Sequence, residues 1–202
     1  MQTAHELFLH ELSDMLDAER KILDALREQS EESSRNDLKT SLEKHREQTE
    51  GQIERLEQCF GELEAEPQET ECCGIRGIIE EHENFKEDNP PEDLIDFFNV
   101  GAAVKVEHYE IASYESLIRL ADLMEQKKVS KLLNQNLKEE HQMLKKVEQL
   151  SDKIEPENLE PEEGEVEVSE LNRREDKESR ESGSRAKRPI PIRKSARHKR
   201  AA

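Results

Sequence analysis

Aromatic residues are scarce in this sequence of 202 residues: they make up 3% of it, and tryptophan is absent. Hydrophobic residues of all kinds reach only 32%, whereas 40% of the residues are charged. So little apolar material argues against the core of a large mixed α/β enzyme. The composition predicts one domain of modest size, joined to sequence that stays disordered.

Long apolar segments are also missing. No run of 18 or more apolar residues occurs, and no basic-then-apolar leader follows Met1. These absences predict neither a membrane span nor a secretory signal. We therefore expect a cytoplasmic protein with no membrane partner.

Cysteine is rare, with three residues at positions 59, 72 and 73 and no CxxC spacing. An odd number without that spacing predicts neither a disulfide framework nor a zinc site. We interpret the three as buried or surface thiols. The alternative is that the adjacent pair, Cys72 and Cys73, binds a soft metal or is oxidised.

Positive charge is in short supply over most of the chain. Residues 1–152 contain 18 Lys and Arg against 37 Asp and Glu, and the whole chain carries a net charge of −18. Such a negative field repels phosphate backbones and attracts cations. Nucleic acid is therefore a poor partner for this part of the protein. An alternative explanation for the acidity is adaptation to high internal salt.

What the sequence does contain is helical periodicity. Apolar residues recur three and four positions apart, which is typical of amphipathic helices. Long helices are predicted over 4–27, 38–67, 91–124 and, after a polar turn at 126–130, 132–150, with a short connecting helix near 78–85. No strand pattern competes. The sequence predicts an all-α fold, an antiparallel four-helix bundle over residues 1–153.

The periodicity ends at residue 153. Segment 155–181 is rich in Glu and contains Pro156, Pro161 and Gly164, whereas segment 183–202 carries eight Lys and Arg and no acidic residue. We predict a disordered tail over 154–202. Its basic end is either a solvated tail or a site for nucleic acid or another anionic partner.

Polar side chains interrupt the apolar face of every long helix. Placed by helical periodicity, these inward-facing residues are Glu19 on the first helix, His45, Thr49 and Gln52 on the second, Glu107 and Glu110 on the third, and Glu140 on the fourth. A carboxylate at the centre of a bundle must be paired, protonated or bound to metal. Carboxylates with a histidine favour iron or manganese, typically as a two-metal site. The alternative is a set of interhelical ion pairs or snorkelling side chains.

The distance of each residue from the turn between two helices predicts whether these residues meet inside the bundle. A turn near residue 33 places Glu19 opposite residue 47, close to His45, Thr49 and Gln52. A turn near residue 128 places Glu107 and Glu110 opposite residues 146–149. This predicts that Glu140 lies about two turns from them, since one turn holds about 3.6 residues.

These residues resemble the ferritin-like proteins of the YciF type, a family described as ferroxidases or stress proteins. The resemblance covers residues 5–152, and its most specific stretches are 12–19, 45–49 with Gln52, Arg55 and Leu56, and 105–114, Lys-Val-Glu-His-Tyr-Glu-Ile-Ala-Ser-Tyr. It implies a ferritin-like four-helix bundle that binds two iron or manganese ions and forms a homodimer.

The resemblance also implies a set of ligands. It supports Glu19, His45, Glu107, Glu110 and Glu140 as metal ligands, with Thr49, Gln52 and Tyr114 beside them and Glu81 of the connecting segment as a weaker candidate. Tyr109 or Tyr114 would supply a hydrogen bond or an electron, or both would serve only as packed aromatic side chains. Gln48 stands where the family usually has Glu, and Leu144 where it often has Asp, which implies weaker metal binding or a single ion.

Three functions fit the sequence. The first is a metal protein, ferroxidase-like, that handles iron or oxidants under stress. The second is a helical adaptor without catalytic activity, whose inward Glu and His residues form only a polar network. The third is a protective protein tethered to DNA through the basic segment 183–202.

Overall fold

Helices make up nearly all of the computed structural model, which describes residues 2–155. Five α-helices and no strand occur in that part of the chain: α1 Ala4–Glu32, α2 Asn36–Glu62, α3 Cys73–Glu87, α4 Glu92–Leu123 and α5 Lys127–Ser151. None of these five helices is long and apolar enough to cross a membrane. The predicted all-α class is confirmed. The predicted tail segments, 155–181 and 183–202, lie outside the described residues apart from Glu155.

The four long helices form a bundle in which α1 and α5 each contact both α2 and α4. Cross-helix pairs show that every helix is antiparallel to its two neighbours. Examples are Arg20 with Glu57, Ser34 with Asp96, and Lys128 with Glu62. Helices α2 and α4 therefore run in the same direction, and the connection between them must span the length of the bundle. A single long crossover of this kind is the ferritin-like arrangement, as predicted.

Helix α3 forms much of that crossover and lies against α1 and α4. At its start, the backbone N–H of Cys72 donates to the carboxylate of Asp17, 2.7 Å away. Towards its end, Nε2 of His82 lies 2.7 Å from a carboxylate oxygen of Glu32 and 2.8 Å from the amide oxygen of Asn99. These contacts hold α3 over the groove between the two long helices.

The first turn lies near residue 33, as predicted, but is shorter, and the α4–α5 turn lies at a different position. Helix α1 continues to Glu32 rather than ending at residue 27, so the first turn shortens to three residues. The α4–α5 turn is centred on Glu125 rather than on residue 128, because Glu125 adopts a left-handed conformation with φ 59°. The N–H of Gln126 then donates to the carbonyl of Ala121 at 2.8 Å, which closes the turn within three residues.

The hydrophobic core runs along the centre of the bundle. Phe8, Leu12, Leu38 and Leu133 are fully buried in it, among others. The side chain of Ile154 is also buried, so packing continues one residue past the predicted boundary at 153. Cysteine thiols belong to this packing: Cys59 and Cys72 are free and buried, and Cys73 is free and exposed.

Candidate metal centre

Polar side chains from all four long helices meet inside this apolar core. Five of them are acid or imidazole groups, each at most 1% exposed: Glu19 of α1, His45 of α2, Glu107 and Glu110 of α4, and Glu140 of α5. The helical periodicity that buries leucines on these faces also turns these side chains inward. The centre is therefore built by rigid helices rather than by loops.

Four of the five side chains offer ligand atoms to a common point. One atom each from His45, Glu107, Glu110 and Glu140 lies within 4.8 Å of the other three. His45 Nε2 is 3.1 Å from Glu107 Oε1 and 3.8 Å from Glu140 Oε2. Oxygen and imidazole nitrogen atoms this close are the arrangement that iron, manganese and zinc accept.

The position of Glu140 corrects the predicted offset of two turns. That offset depended on a turn centred at residue 128. With the turn at Glu125, residues equidistant from it pair differently, and Glu110 lies opposite Glu140. The shift of three residues in the turn brings α5 into register with α4.

Glu19 lies beside this group rather than within it. Its carboxyl group faces that of Glu110, and it accepts a hydrogen bond from the hydroxyl of Tyr114. The hydroxyl of Tyr114 in turn accepts a hydrogen bond of 2.8 Å from the amide of Asn136. Tyr114 thus fixes the orientation of one Glu19 oxygen and leaves the other free.

The remaining predicted residues divide into those near the centre and those away from it. The amide of Gln52 donates to a carboxylate oxygen of Glu140. Thr49 is buried, but its hydroxyl donates to the backbone carbonyl of His45 at 3.2 Å. Glu81 lies apart: it is exposed on α3 and paired with Lys105.

Two residues that the sequence analysis did not single out as site residues support the centre from α2 and α5. Asn136 donates to the backbone carbonyl of Gln52 at 3.3 Å, besides contacting Tyr114. Arg55 donates to the amide oxygen of Asn136 and to the carboxylate of Glu139. Asn136 lies one helical turn before Glu140, so the same search for polar residues on an apolar face would have found it.

Unpartnered atoms are concentrated in this centre. Nine buried side-chain nitrogen and oxygen atoms of the described residues lack a hydrogen-bond partner, and seven of them belong to Glu19, His45, Glu107, Glu110 and Glu140. No Lys or Arg of the described chain forms an ion pair with these four carboxyl groups. Buried polar atoms are rarely left unpaired. The donor set thus fits a cation better than it fits a closed polar network.

Burial also shifts the titration of the centre. It raises the pKa of Glu19 and of Glu107 to about 8. Burial, together with repulsion from neighbouring carboxylates, raises the pKa of Glu110 and Glu140 well above the usual range. Burial lowers the pKa of His45. Without a cation, the centre therefore holds protons at neutral pH.

The raised pKa values of the buried carboxyl groups predict how the stability of the metal-free protein depends on pH. In the unfolded chain these carboxyl groups lose their protons near the ordinary pKa of Glu, whereas in the fold Glu19 and Glu107 keep them up to about pH 8. The folded state thus binds more protons across this window, and stability falls as the pH rises from about 5 to about 8. His45 acts in the opposite direction but is a single group. Melting temperatures measured in the presence of a chelator would show the fall.

The control for that measurement is the Glu110→Gln variant. Repulsion among surface carboxylates also lowers the stability of an acidic protein at high pH, and the variant retains that effect while losing one buried acid. Its pH dependence should be shallower than that of the wild type. Identical slopes in the two proteins would show that the buried carboxyl groups do not titrate as described.

Comparisons with known proteins agree with this fold. A family model described as a domain of unknown function, DUF892, matches residues 3–160. Protein YciF of Escherichia coli K12 is 37% identical over 141 residues, which are 69% of this chain and 85% of YciF. The crystal structure of the E. coli stress protein YciF superimposes with a TM-score of 0.72 at 35% identity, covering 75% of this chain and 96% of that one. YcfI from Rhodopseudomonas palustris gives a TM-score of 0.70 at 36% identity, covering 73% and 94%.

Gln48 and Leu144, for which the resemblance implied a departure from the family pattern, are not among the four side chains that converge. Gln48 is half-buried on α2. Leu144 is half-buried on α5 and packs against a small apolar cluster of Ala103, Met143 and Val147.

Proposed function

This chain belongs to the DUF892 family, and from that membership and the buried His/Glu cluster we propose that it is a ferritin-like protein with a two-iron centre. In this proposal, ferrous ions bound in the bundle are oxidised by a peroxide or by dioxygen, as part of a stress response. The observation that carries the proposal is the convergence of four buried ligand atoms, one each from His45, Glu107, Glu110 and Glu140, within 4.8 Å of one another.

The placement of the carboxyl groups supports two ions rather than one. Glu107 faces Glu140, and Glu110 faces Glu19. These two pairs of facing acids offer two neighbouring positions, with His45 beside the first pair. Oxygen ligands and one imidazole suit iron or manganese. Ions held side by side in this way can share oxygen ligands.

Each part of the surrounding network has a role in this proposal. Tyr114 and Gln52 each donate one hydrogen bond, to Glu19 and to Glu140, and so hold these carboxyl groups in fixed orientations. Such partners keep ligating groups in place before an ion arrives. Each of the five acid and imidazole groups is at most 1% exposed, so bulk water has little access to the centre. Bound ferrous ions would supply the electrons, and Glu19, His45, Glu107, Glu110 and Glu140 would hold the ions in place.

Titration with Fe(II) under anaerobic conditions tests the proposal. We expect about two ferrous ions per chain to bind tightly and to be oxidised together when hydrogen peroxide is added, because paired ions share ligands. Glu19→Gln should bind about one ion, since Glu19 lies on one side of the centre only. Bound iron is measured after gel filtration, and its oxidation is followed by absorbance.

The matched control is Glu81→Gln, which removes an exposed carboxylate far from the cluster. It should bind as much iron as the wild type. Wild-type protein that retains no iron, or that loses as much iron through Glu81→Gln as through Glu19→Gln, would overturn the proposal. The homodimer, the cytoplasmic location and an anionic partner for segment 183–202 stay predictions from the sequence.

A further inference from the structure

A pocket of about 360 Å³ lies between α1, α3 and α4. At its inner end it reaches His45 and Glu107, two of the four side chains that converge in the centre. Both are at most 1% exposed, so the pocket approaches the buried centre without opening it widely to solvent. Because α3 covers the groove between α1 and α4, the crossover helix forms one wall of this approach.

The walls of the pocket are mostly apolar. They are formed by Ile22, Ala25 and Leu26 of α1, Ile75, Ile78 and Ile79 of α3, and Ala102, Ala103 and Val106 of α4. The two alanines are small enough to leave space on the α4 side. Ala102 is buried but belongs to neither apolar core cluster. Its side chain faces the pocket, and the space beside it is not filled by packing.

The charges at the pocket rim are predominantly negative. Four carboxylates line it, from Asp24, Glu28, Glu80 and Glu83, all of them exposed. The two cations on the rim are already paired, Lys21 with Asp17 and Arg76 with Glu71 and Glu80. A rim with this balance repels anions. A free fatty acid or another carboxylate is therefore poorly suited to enter.

The volume of the pocket indicates which uncharged oxidant fits it. A water molecule occupies about 30 Å³ in the liquid, so the pocket has room for roughly ten molecules of that size. Dioxygen and hydrogen peroxide need only a small part of this space. Pockets of this volume with apolar walls usually hold a small organic molecule.

We propose that this pocket admits an uncharged organic hydroperoxide, with its apolar body against the walls and its O–O group at the His45 and Glu107 end. This inference rests on the proposed function, because it identifies the oxidant that the iron centre uses. The O–O bond of the hydroperoxide breaks. One oxygen leaves as the alcohol and the other as water. Two ferrous ions are oxidised to ferric ions and supply the two electrons, and two protons come from solvent.

The variant that tests the inference is Ala102→Leu, which places a larger side chain in the pocket. We expect it to slow the oxidation of bound Fe(II) by cumene hydroperoxide about tenfold or more, because one or two methylenes commonly change selectivity by that factor. Oxidation by hydrogen peroxide should stay within about twofold of wild type, since a small oxidant still fits. The matched control is Ala112→Leu, the same substitution at an exposed position on the same helix, and it should leave both rates unchanged.

A second measurement needs no iron. Metal-free protein should bind 2-phenyl-2-propanol, the alcohol that corresponds to cumene hydroperoxide, as seen by saturation-transfer NMR. Binding should be lost in Ala102→Leu and in Ile79→Asp, which places a charge on the half-buried α3 wall, and kept in Ala112→Leu. The Ile79 variant preserves the test if Ala102→Leu does not fold.

The two proposals fail in different ways. If wild-type protein retains no iron, the proposed function fails. Binding of the alcohol still tests whether the pocket admits an uncharged organic molecule. If iron is bound and oxidised but the alcohol does not bind, the pocket inference alone is overturned. Equal slowing of both oxidants by Ala102→Leu would also overturn it, since it would show damage to the centre and not to the passage of an organic molecule.

Discussion

Replacing Glu110 by glutamine is expected to abolish iron retention while leaving the bundle folded. Glu110 is fully buried, and neither of its carboxylate oxygens has a hydrogen-bond partner. It belongs to the group of four and also faces Glu19, so both proposed ion positions depend on it. Loss of supporting partners alone weakens metal affinity by about 10- to 100-fold. We expect loss of a shared ligand to weaken it by at least about 100-fold.

The same substitution should not destabilise the metal-free protein. An amide has nearly the shape of the protonated acid and is uncharged without taking up a proton. It therefore avoids the cost of burial and of carboxylate repulsion that raises the pKa of Glu110. Iron content and the melting temperature with chelator, measured side by side, separate the two effects. Glu115→Gln, at an exposed position on the same helix, is the control. A Glu110→Gln protein that unfolds, or that retains wild-type iron, would show that Glu110 serves the fold and not a metal.

The second large effect is expected from Asp96→Ala, at the other end of α4. The buried Asp96 carboxylate accepts hydrogen bonds from the backbone N–H of Ser34 at 3.0 Å, from the hydroxyl of Ser34 at 2.5 Å and from the N–H of Arg35 at 3.1 Å. These bonds tie the α1–α2 turn to α4. Hydrogen bonds to a charged group contribute about 1.5–3 kcal/mol each and are not additive. We expect the variant to lose roughly 3 kcal/mol of unfolding free energy in urea.

Two further variants define this contribution. Asp96→Asn keeps an acceptor oxygen and should lose less stability than Asp96→Ala. Asp122→Ala removes an exposed carboxylate near the end of the same helix and should have little effect. A loss below about 1 kcal/mol for Asp96→Ala would contradict the role of this carboxylate, since a typical neutral hydrogen bond already contributes that much.

Periodicity was sufficient to predict the helices and their inward faces. The spacing of apolar residues identifies α1, α2, α4 and α5, because burying one face of a helix requires that pattern. The ends of the helices were less predictable. The sequence at 126–130 is polar like a turn, yet the structure turns at Glu125, a residue with no special preference for positive φ. Backbone conformations of this kind depend on how the two helices pack.

The candidate centre was predictable to the same extent. Inward positions follow from helical spacing, so Glu19, His45, Glu107, Glu110 and Glu140 could be placed on the correct faces. Their relative depth depends on the turns. For Glu140, an error of three residues in the position of one turn moved the expected partner by about six residues, almost two helical turns. Cross-helix contacts such as those of Arg55 with Asn136 and Glu139 require the register itself.

The pocket could not be predicted from the sequence. Its volume exists because α3 lies over the groove between α1 and α4, and no local pattern shows where a crossover helix will lie. The sequence of α3 indicates only a short amphipathic segment. The apolar side chains of Ile78 and Ile79, which line the pocket, look like ordinary core residues until the position of the helix is known.

The most direct test of the proposed centre is a crystal of the protein loaded anaerobically with Fe(II), with anomalous scattering measured at the iron absorption edge. We expect two anomalous peaks inside the bundle. One should lie among His45, Glu107, Glu110 and Glu140. The other should lie between Glu110 and Glu19. Iron found only at exposed carboxylates, or no peak at all in the presence of excess Fe(II), would contradict a metal centre in this bundle.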